Sequence, residues 1–398
     1  MSVRKKLYLF QNGTYGTMIS GGDIHFIHQV AAAKDAGFDV AVFGGKAIEE
    51  FVVTQKLGIE VMLTDRHKVG FVAVNTIRQQ LGLFLHYCGQ FVRTLLKLGT
   101  IKREDTAVAA TDAWFDVLPA VFSHARAKAM LLGMDAPSLG QVARRSRPDI
   151  TRSRVASIHY WLSQSVSLWC FRWCKRKIVF YVHPSMRARL LKLGFSDSEI
   201  RFVSNGIDFE FAHRVPEQAK IFDVIWIGRV HPQKGIDDLF KVLASLAQHL
   251  SDFRVVFVGN VQAALSGLVA QYNLAKCVTF AGFVSEEEKF RLFKSSRLFL
   301  MPSHYESWGI VIGEALACKV PVVAYDIAAY RPIFGDFLRY VPAFDIEALA
   351  REAQEQIQAV RAGKNYLDAM DVETFKRENS WAATRQRMSA AFRELAAK

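Results

Sequence analysis

The 398-residue sequence predicts an α/β protein of two doubly wound parallel sheets, and three observations carry that reading. Short apolar runs alternate with helix-like patterns in two separate series, the pattern of a parallel sheet covered by helices on both faces. Several runs end directly on Gly, Pro or Asn, where backbone can approach a ligand closely. A polar stretch containing Pro216, residues 210–221, lies between the two series and reads as a linker.

The first series opens with a strand at 7–10, a helix at 23–36, a strand at 40–43 and a helix at 46–57. It resumes with strands at 107–110, 129–133 and 178–182, each followed by a candidate helix, and defines a first Rossmann-like domain over residues 1–210. The second series begins with FDVIWIG at 222–228 and continues with a helix from Gly235. Strands then end at Gly259, Gly282, Pro302 and Tyr325, giving a second Rossmann-like domain over 211–375. In the last segment, 376–398, helical spacing puts most of Trp381, Met388, Phe392 and Leu395 on one face. That face must be buried, and the expected partner is the first domain.

Composition narrows the functional classes. With 51% hydrophobic and 22% charged residues the chain is globular rather than disordered. The first ten residues run from a short basic stretch into a strand, without the long apolar region of a secretory signal. Cys88, Cys170, Cys174, Cys277 and Cys318 are scattered and never form CxxC, so neither a disulfide framework nor a zinc cage is expected, and a reducing cytoplasm suits them. No run reaches the roughly 18 apolar residues that span a bilayer. The net charge of +13 favours an anionic partner: phospholipid, nucleic acid or a phosphorylated substrate. Nucleic acid is the least favoured, because no recognition helix, aromatic RNA-binding strand pair or zinc module is visible.

The chemistry concentrates in PSHYESWGIVIGEALACKVPVVA, residues 302–324. An apolar strand ends, the chain turns through polar residues, and a helix is expected from about Trp308. The N–H groups of such a helix start, together with the helix dipole, form a phosphate site, and Gly309 allows close approach. Glu306 and Glu314 stand eight residues apart, about two helical turns, so they can serve different parts of one extended ligand. Carboxylates accept well from sugar and ribose hydroxyls, which points to a sugar nucleotide. The plainer alternative is a capping Glu306 and a solvated Glu314.

This run resembles the E-x7-E motif of glycosyltransferase family four, including the E-A-x-A-x-x-x-P-V-V-A continuation. Ile227, Gly228, Arg229, Lys234 and Gly235 resemble the family's G-R-x-x-x-x-K-G segment, and Asn205, Gly206, Ile207 and Asp208 its N-G-[IV]-D. The resemblance implies a GT-B fold, two Rossmann-like domains facing each other across a cleft, and a retaining, metal-independent transfer of sugar from a UDP- or GDP-linked donor. It implies a glycan or lipid-linked acceptor, as in bacterial cell-surface polysaccharide, lipopolysaccharide or glycolipid synthesis. Arg229 and Lys234 would stabilise the leaving diphosphate in place of a metal. Glu306 would hold the sugar, Glu314 the ribose, and the N–H groups of Trp308, Gly309, Ile310 and Val311 the phosphates, with Ser307 also among the donor-binding residues. Gly228, Phe283 and Val284 would border the nucleotide, Phe283 and Val284 at the base.

In the first domain Ser20, Gly21, Gly22 and Asp23 resemble the family's G-G loop near the donor phosphates or acceptor. Many relatives carry a His after a central strand; here Ala109, Ala110, Thr111 and Asp112 stand at the matching strand end, so Asp112 is the candidate for the transferred sugar. Asp135 in GMDAPS is its rival, and both can simply cap helices. His183 is expected to begin a helix. The family's Gly-Gly-x-x-Glu loop is replaced by Asp326, Ile327, Ala328, Ala329, Tyr330 and Arg331, with Arg331 either on a phosphate or in solvent.

Arg144, Arg145, Arg147, Arg152 and Arg154 precede the aromatic stretch 158–173, which ends in Lys175, Arg176 and Lys177. An anionic membrane surface at the inner face of the membrane suits this pattern, and so does a buried helix with a solvated basic connection. Residues 81–96, followed by basic 97–103, leave the same two alternatives. Two other classes share such a fold: a nicotinamide-dependent oxidoreductase, which lacks its G-x-G-x-x-G here, and a non-catalytic sugar-nucleotide-binding or scaffold protein.

Overall fold

The computed structural model describes residues 5–13, 21–65, 77–144 and 154–397. The chain divides into two compact units, one of residues up to 205 together with 381–398, the other of 206–380. Ser20, Arg145, Arg147 and Arg152 lie outside the described residues.

In the first unit seven strands form one parallel sheet: β1 (Lys6–Phe10), β2 (Asp39–Gly45), β3 (Glu60–Asp65), β4 (Thr106–Ala109), β5 (Ala127–Leu132), β6 (Arg176–Tyr181) and β7 (Ile200–Phe202), in the order β3-β2-β1-β4-β5-β6-β7. Their near-continuous apolar sequences, such as Leu7 to Phe10, are buried on both faces, as a helix-covered parallel sheet requires. The second unit repeats the plan with β8 (Phe222–Ile227), β9 (Val255–Val258), β10 (Val278–Gly282), β11 (Ser296–Met301), β12 (Val322–Tyr325) and β13 (Arg339–Val341), in the order β10-β9-β8-β11-β12-β13. In each sheet the order reverses beside the first strand, between β1 and β4 and between β8 and β11. At such a switch point the loops leaving two neighbouring strands diverge and open a crevice at their carboxyl ends.

Three boundaries differ from the sequence reading. The division falls after Asn205, because Ile207 and Phe209 are buried in the core of the second unit. The first five residues of the expected linker, 210–214, lie in the helix Phe209–Arg214, whose Ala212 is buried in that core; its exposed Glu210 and Arg214 made the stretch look polar throughout. Residues 376–380 stay with the second unit, where Phe375 of the helix Val372–Asn379 packs on Phe334 and Phe337.

The last helix, Trp381–Ala397, belongs to the first unit. Met388, Ala391, Phe392 and Leu395 enter its core, and Phe392 meets Phe180 of β6 edge-to-face. Trp381 stacks on His28 with ring centres 4.0 Å apart, while Arg385 pairs with Asp35 at 2.7 Å. The first unit is thus completed by residues some 350 positions away in sequence. All five cysteines are free thiols. No described helix is long and apolar enough to cross a membrane.

Candidate active site

At the switch point of the second unit, the loop after β8 and the turn after β11 are fastened together by backbone. Gly235 takes φ +62°, a conformation side chains rarely tolerate, and a Cβ there would lie 2.0 Å from the Pro302 carbonyl oxygen. No other residue fits so close an approach. The N–H of His304 donates to the carbonyl of Gln233 at 2.8 Å, completing the join.

That join sets Lys234 against Glu306, Nζ to Oε1 2.5 Å, and the Ser303 hydroxyl donates to the same oxygen at 3.0 Å. Both side chains are nearly buried, 12% and 9% exposed, so each needs the other's charge. Arg229, on the same loop, is exposed and makes no hydrogen bond or ion pair among the described residues. Gly228 lies at the end of β8, where a Cβ would press on the Trp226 ring at 3.1 Å.

The helix after the turn starts at Ile310 rather than Trp308, because Gly309 takes φ +90° and interrupts the chain. Trp308 is buried against Phe334 in the core, so only its backbone faces any ligand, whereas Ser307 is half-buried beside it. No side chain caps this helix, and the N–H groups of Ile310 and Val311 have no intrahelical acceptor. Gly313 packs so tightly on Ile207 that a Cβ would lie 2.2 Å from its Cδ1, which ties the N-G-I-D segment to this helix.

Glu314 is buried one turn further on and pairs with Lys289 at 2.7 Å. Burial pushes the Glu314 carboxyl above its ordinary range, and Lys289 opposes this. Burial pulls Lys289 down, but the carboxylates of Glu314 and Glu286 outweigh it and hold the ammonium above the ordinary value. Lys289 escaped the sequence reading because nothing in its spacing points to Glu314, 25 residues on. Asp238 was missed likewise: it pairs with His304 at 2.8 Å and accepts from Tyr325 at 3.0 Å.

Past Gly282, at φ +70°, Phe283 is largely exposed and Val284 packs partly against the core. Arg331 chelates Asp326 and lies over the Tyr340 ring, so its cation is already matched.

In the first unit Gly21 and Gly22 are exposed at the start of the helix Gly21–Asp35. After β4, Asp112 is buried and accepts from Gln164 at 2.8 Å and from the Tyr160 hydroxyl at 3.3 Å. Burial lifts its carboxyl to about 6, with those two donors pulling it back. Asp135, the rival of Asp112 in the sequence reading, belongs to the same array: Arg189 pairs with Asp135 at 2.7 Å and donates to Gln164 Oε1 at 2.6 Å. Asp116, four residues on, accepts from Thr111 and from the N–H of Asn12, and burial lifts it to about 7. His183 precedes the helix Met186–Lys192 and bonds Ser185, the residue at its start. Among the described residues no three His, Cys, Asp or Glu side chains converge as a metal site.

Residues 208–360 match the family model for glycosyl transferases group 1. The phosphatidyl-myo-inositol mannosyltransferase of Mycobacterium leprae is 28% identical over 213 residues, 49% of this chain and 55% of that protein. The alpha-galactosylglucosyldiacylglycerol synthase of Streptococcus pneumoniae is 26% identical over 172 residues, 38% and 44% respectively. The chain thus spans about half the length of these curated relatives. Among solved structures, sucrose-phosphate synthase from Thermosynechococcus elongatus superposes with a TM-score of 0.71 at 19% identity, covering 99% of this chain and 100% of that one. HepE of Anabaena, solved with UDP and glucose, gives 0.68 at 14%, covering 98% and 100%. These likenesses establish the GT-B fold.

Proposed function

Because the chain belongs, through residues 208–360, to the group 1 glycosyl transferases of family-four type, we propose that it moves a sugar from a nucleotide-linked donor to a hydroxyl of a glycan or lipid-linked acceptor. The observation that carries this reading is the Lys234–Glu306 pair, fastened at the switch point beside an uncapped helix start, with Glu314 one turn into that helix. A cation, a row of free N–H groups and two carboxylates match the diphosphate, sugar and ribose of such a donor in their order along the ligand. Glycolipid synthesis is favoured as the setting because relatives include a phosphatidyl-myo-inositol mannosyltransferase and a glycosyldiacylglycerol synthase. HepE, solved with UDP, favours a uridine donor over a guanosine one.

The transfer is retaining and needs no metal. The bond from the anomeric carbon to the phosphate oxygen breaks, and the acceptor oxygen joins that carbon on the same face. The departing phosphate oxygen takes the acceptor's proton. Lys234 and Arg229 neutralise the charge that builds on the diphosphate, Glu306 holds sugar hydroxyls, and Glu314 holds the ribose. In the first unit Asp112 serves the transferred sugar or the acceptor.

A thermal-shift screen of UDP- and GDP-linked sugars tests donor binding, since a ligand of the native state raises the melting temperature by mass action. A hit is then incubated with acceptor glycolipids, with and without EDTA, and the anomeric configuration of the product is read by NMR. Retained configuration and indifference to EDTA are expected. Failure of every nucleotide sugar to bind removes the proposal; an inverted product or EDTA-sensitive turnover removes the mechanism alone.

A further inference from the structure

The helix Arg154–Phe171 is turned inside out. Its buried face carries Ser163, Gln164 and Ser167 beside Leu168 and Phe171, while Val155, Ile158, Leu162 and Trp169 stand exposed. At about 100° per residue these four side chains fall within one narrow stripe, and exposed Trp173 extends it beyond the helix end. Leu162 is 51% exposed and Trp169 61%, values that a core-packing stripe would not show. The polar face is turned inward because it is used there: Ser163 accepts from the N–H of Trp114, and Gln164 holds Asp112 and the N–H of Ala136.

A second helix, Ile77–Lys97, meets the first where Phe84 contacts His159 edge-to-face at 5.7 Å. It exposes Leu81, Leu85, Val92 and Leu96. Leu81, Leu85, Ile158 and Leu162 each lie within a turn of that contact, so the two stripes adjoin. Charge separates this region from the rest of the chain. Residues 66–103 and 150–196 hold seven and nine Lys and Arg respectively, and none of the 38 Asp and Glu, while Arg93, Lys177, Arg187 and Arg189 are matched by carboxylates from outside these stretches. Arg154 and Lys175 are exposed near the two ends of the first stripe, and the Arg172 guanidinium lies over the Trp173 ring at 4.9 Å.

We infer that these two helices dock the first unit on an anionic lipid bilayer. An interface of headgroups over acyl chains satisfies both features together: the cations meet phosphates while Leu and Trp enter the acyl boundary. A second copy of the chain would bring like cations together with no carboxylate from either segment to meet them. Because Gln164 and Tyr160 sit on the docking helix and hold Asp112, the bilayer and the candidate sugar-side carboxylate are joined by one rigid element.

The test is co-sedimentation of the full-length protein with vesicles of phosphatidylcholine alone and of phosphatidylcholine mixed with phosphatidylglycerol, at low and high salt. The wild type should bind the mixed vesicles and release with salt. Leu162→Glu combined with Trp169→Glu should lower the bound fraction about tenfold or more, with unchanged circular dichroism. Arg154→Glu combined with Lys175→Glu, which leaves the apolar stripe intact, should weaken binding to the mixed vesicles only, and it decides the matter if the first variant misfolds. Three results overturn the inference: no sedimentation of the wild type, binding that ignores lipid charge and salt, or a lipid-free dimer that Leu162→Glu dissociates.

Discussion

The two units share a topology but build their switch points in different ways. In the second, the polar groups leave the sheet on loops, Lys234 after β8 and Glu306 after β11, and the two loops are joined where Gly235 brings its backbone into contact with the Pro302 carbonyl. In the first, Asp112 follows β4, but the groups that position it, Gln164, Tyr160 and Arg189, come from helices 48 to 77 residues away. A loop-built site leaves its pattern in consecutive residues, whereas a helix-built site disperses it.

The sharpest way to break this comparison is to remove the central pair of the second unit. Lys234→Met should lower turnover by about 10²–10³-fold, the scale of a lost transition-state charge contact. It should also cost up to about 3 kcal/mol of stability, because Glu306 is left nearly buried and unpaired. Lys234→Met with Glu306→Gln removes that unpaired charge, so urea denaturation should show most of the stability restored while turnover stays low. Recovery of both together would assign the pair a structural role only.

Backbone fit comes next in size. Gly235→Ala combines a left-handed conformation with a Cβ 2.0 Å from a carbonyl oxygen, and at least about 2 kcal/mol of destabilisation is expected. Gly37, in the first unit, has φ +90° but open space around it, so Gly37→Ala should cost only about 1 kcal/mol. Denaturation midpoints of the two variants measure the difference; equal losses would mean that the join between the two loops of the second unit can yield.

This contrast explains what was legible in the sequence. Alternating apolar runs exposed most of both sheets, because strands buried on two faces leave little choice of residue. Short β13, three residues at an edge, carried too little pattern, and the helix Phe209–Arg214 was hidden by its exposed polar face. Glu306 and Lys234 could be read because glycines surround them, Gly235 and Gly309 answering a backbone conformation and Gly313 the close packing of Ile207, each visible in the sequence as a glycine. Lys289 could not, since its partner lies on another element. Asp112 and Asp135 looked like competitors, and only the Gln164–Arg189 link, made in three dimensions, shows them as one array.

The smallest effect is expected from pH, and its smallness is itself informative. Burial raises Asp116 to about 7 and Asp112 to about 6, so these acids stay protonated in the native state where the unfolded chain has released its protons. Their contribution to stability is complete below the unfolded carboxyl range and is lost as pH rises through 6 and 7. Burial lowers His25 to about 4 and His28 to about 3, both packed on Trp381. Their contribution is present above the unfolded imidazole value near 6.5 and is lost as pH falls toward 4 and 3. Between pH 5 and 6.5 the two arms oppose; His86 and His159, also lowered by burial, add to the rising arm and Glu314, raised by it, to the falling one, so urea titrations read each variant's slope against that of the wild type. Asp116→Asn removes one falling arm, so relative to the wild type its stability should rise with pH by about 1 kcal/mol per unit. His28→Phe keeps the ring stacked on Trp381 but removes a rising arm, so stability should fall with pH by a similar slope. If both variants run parallel to the wild type, the first unit does not hold these groups desolvated. Its polar array would then be as open to water as the loops of the second.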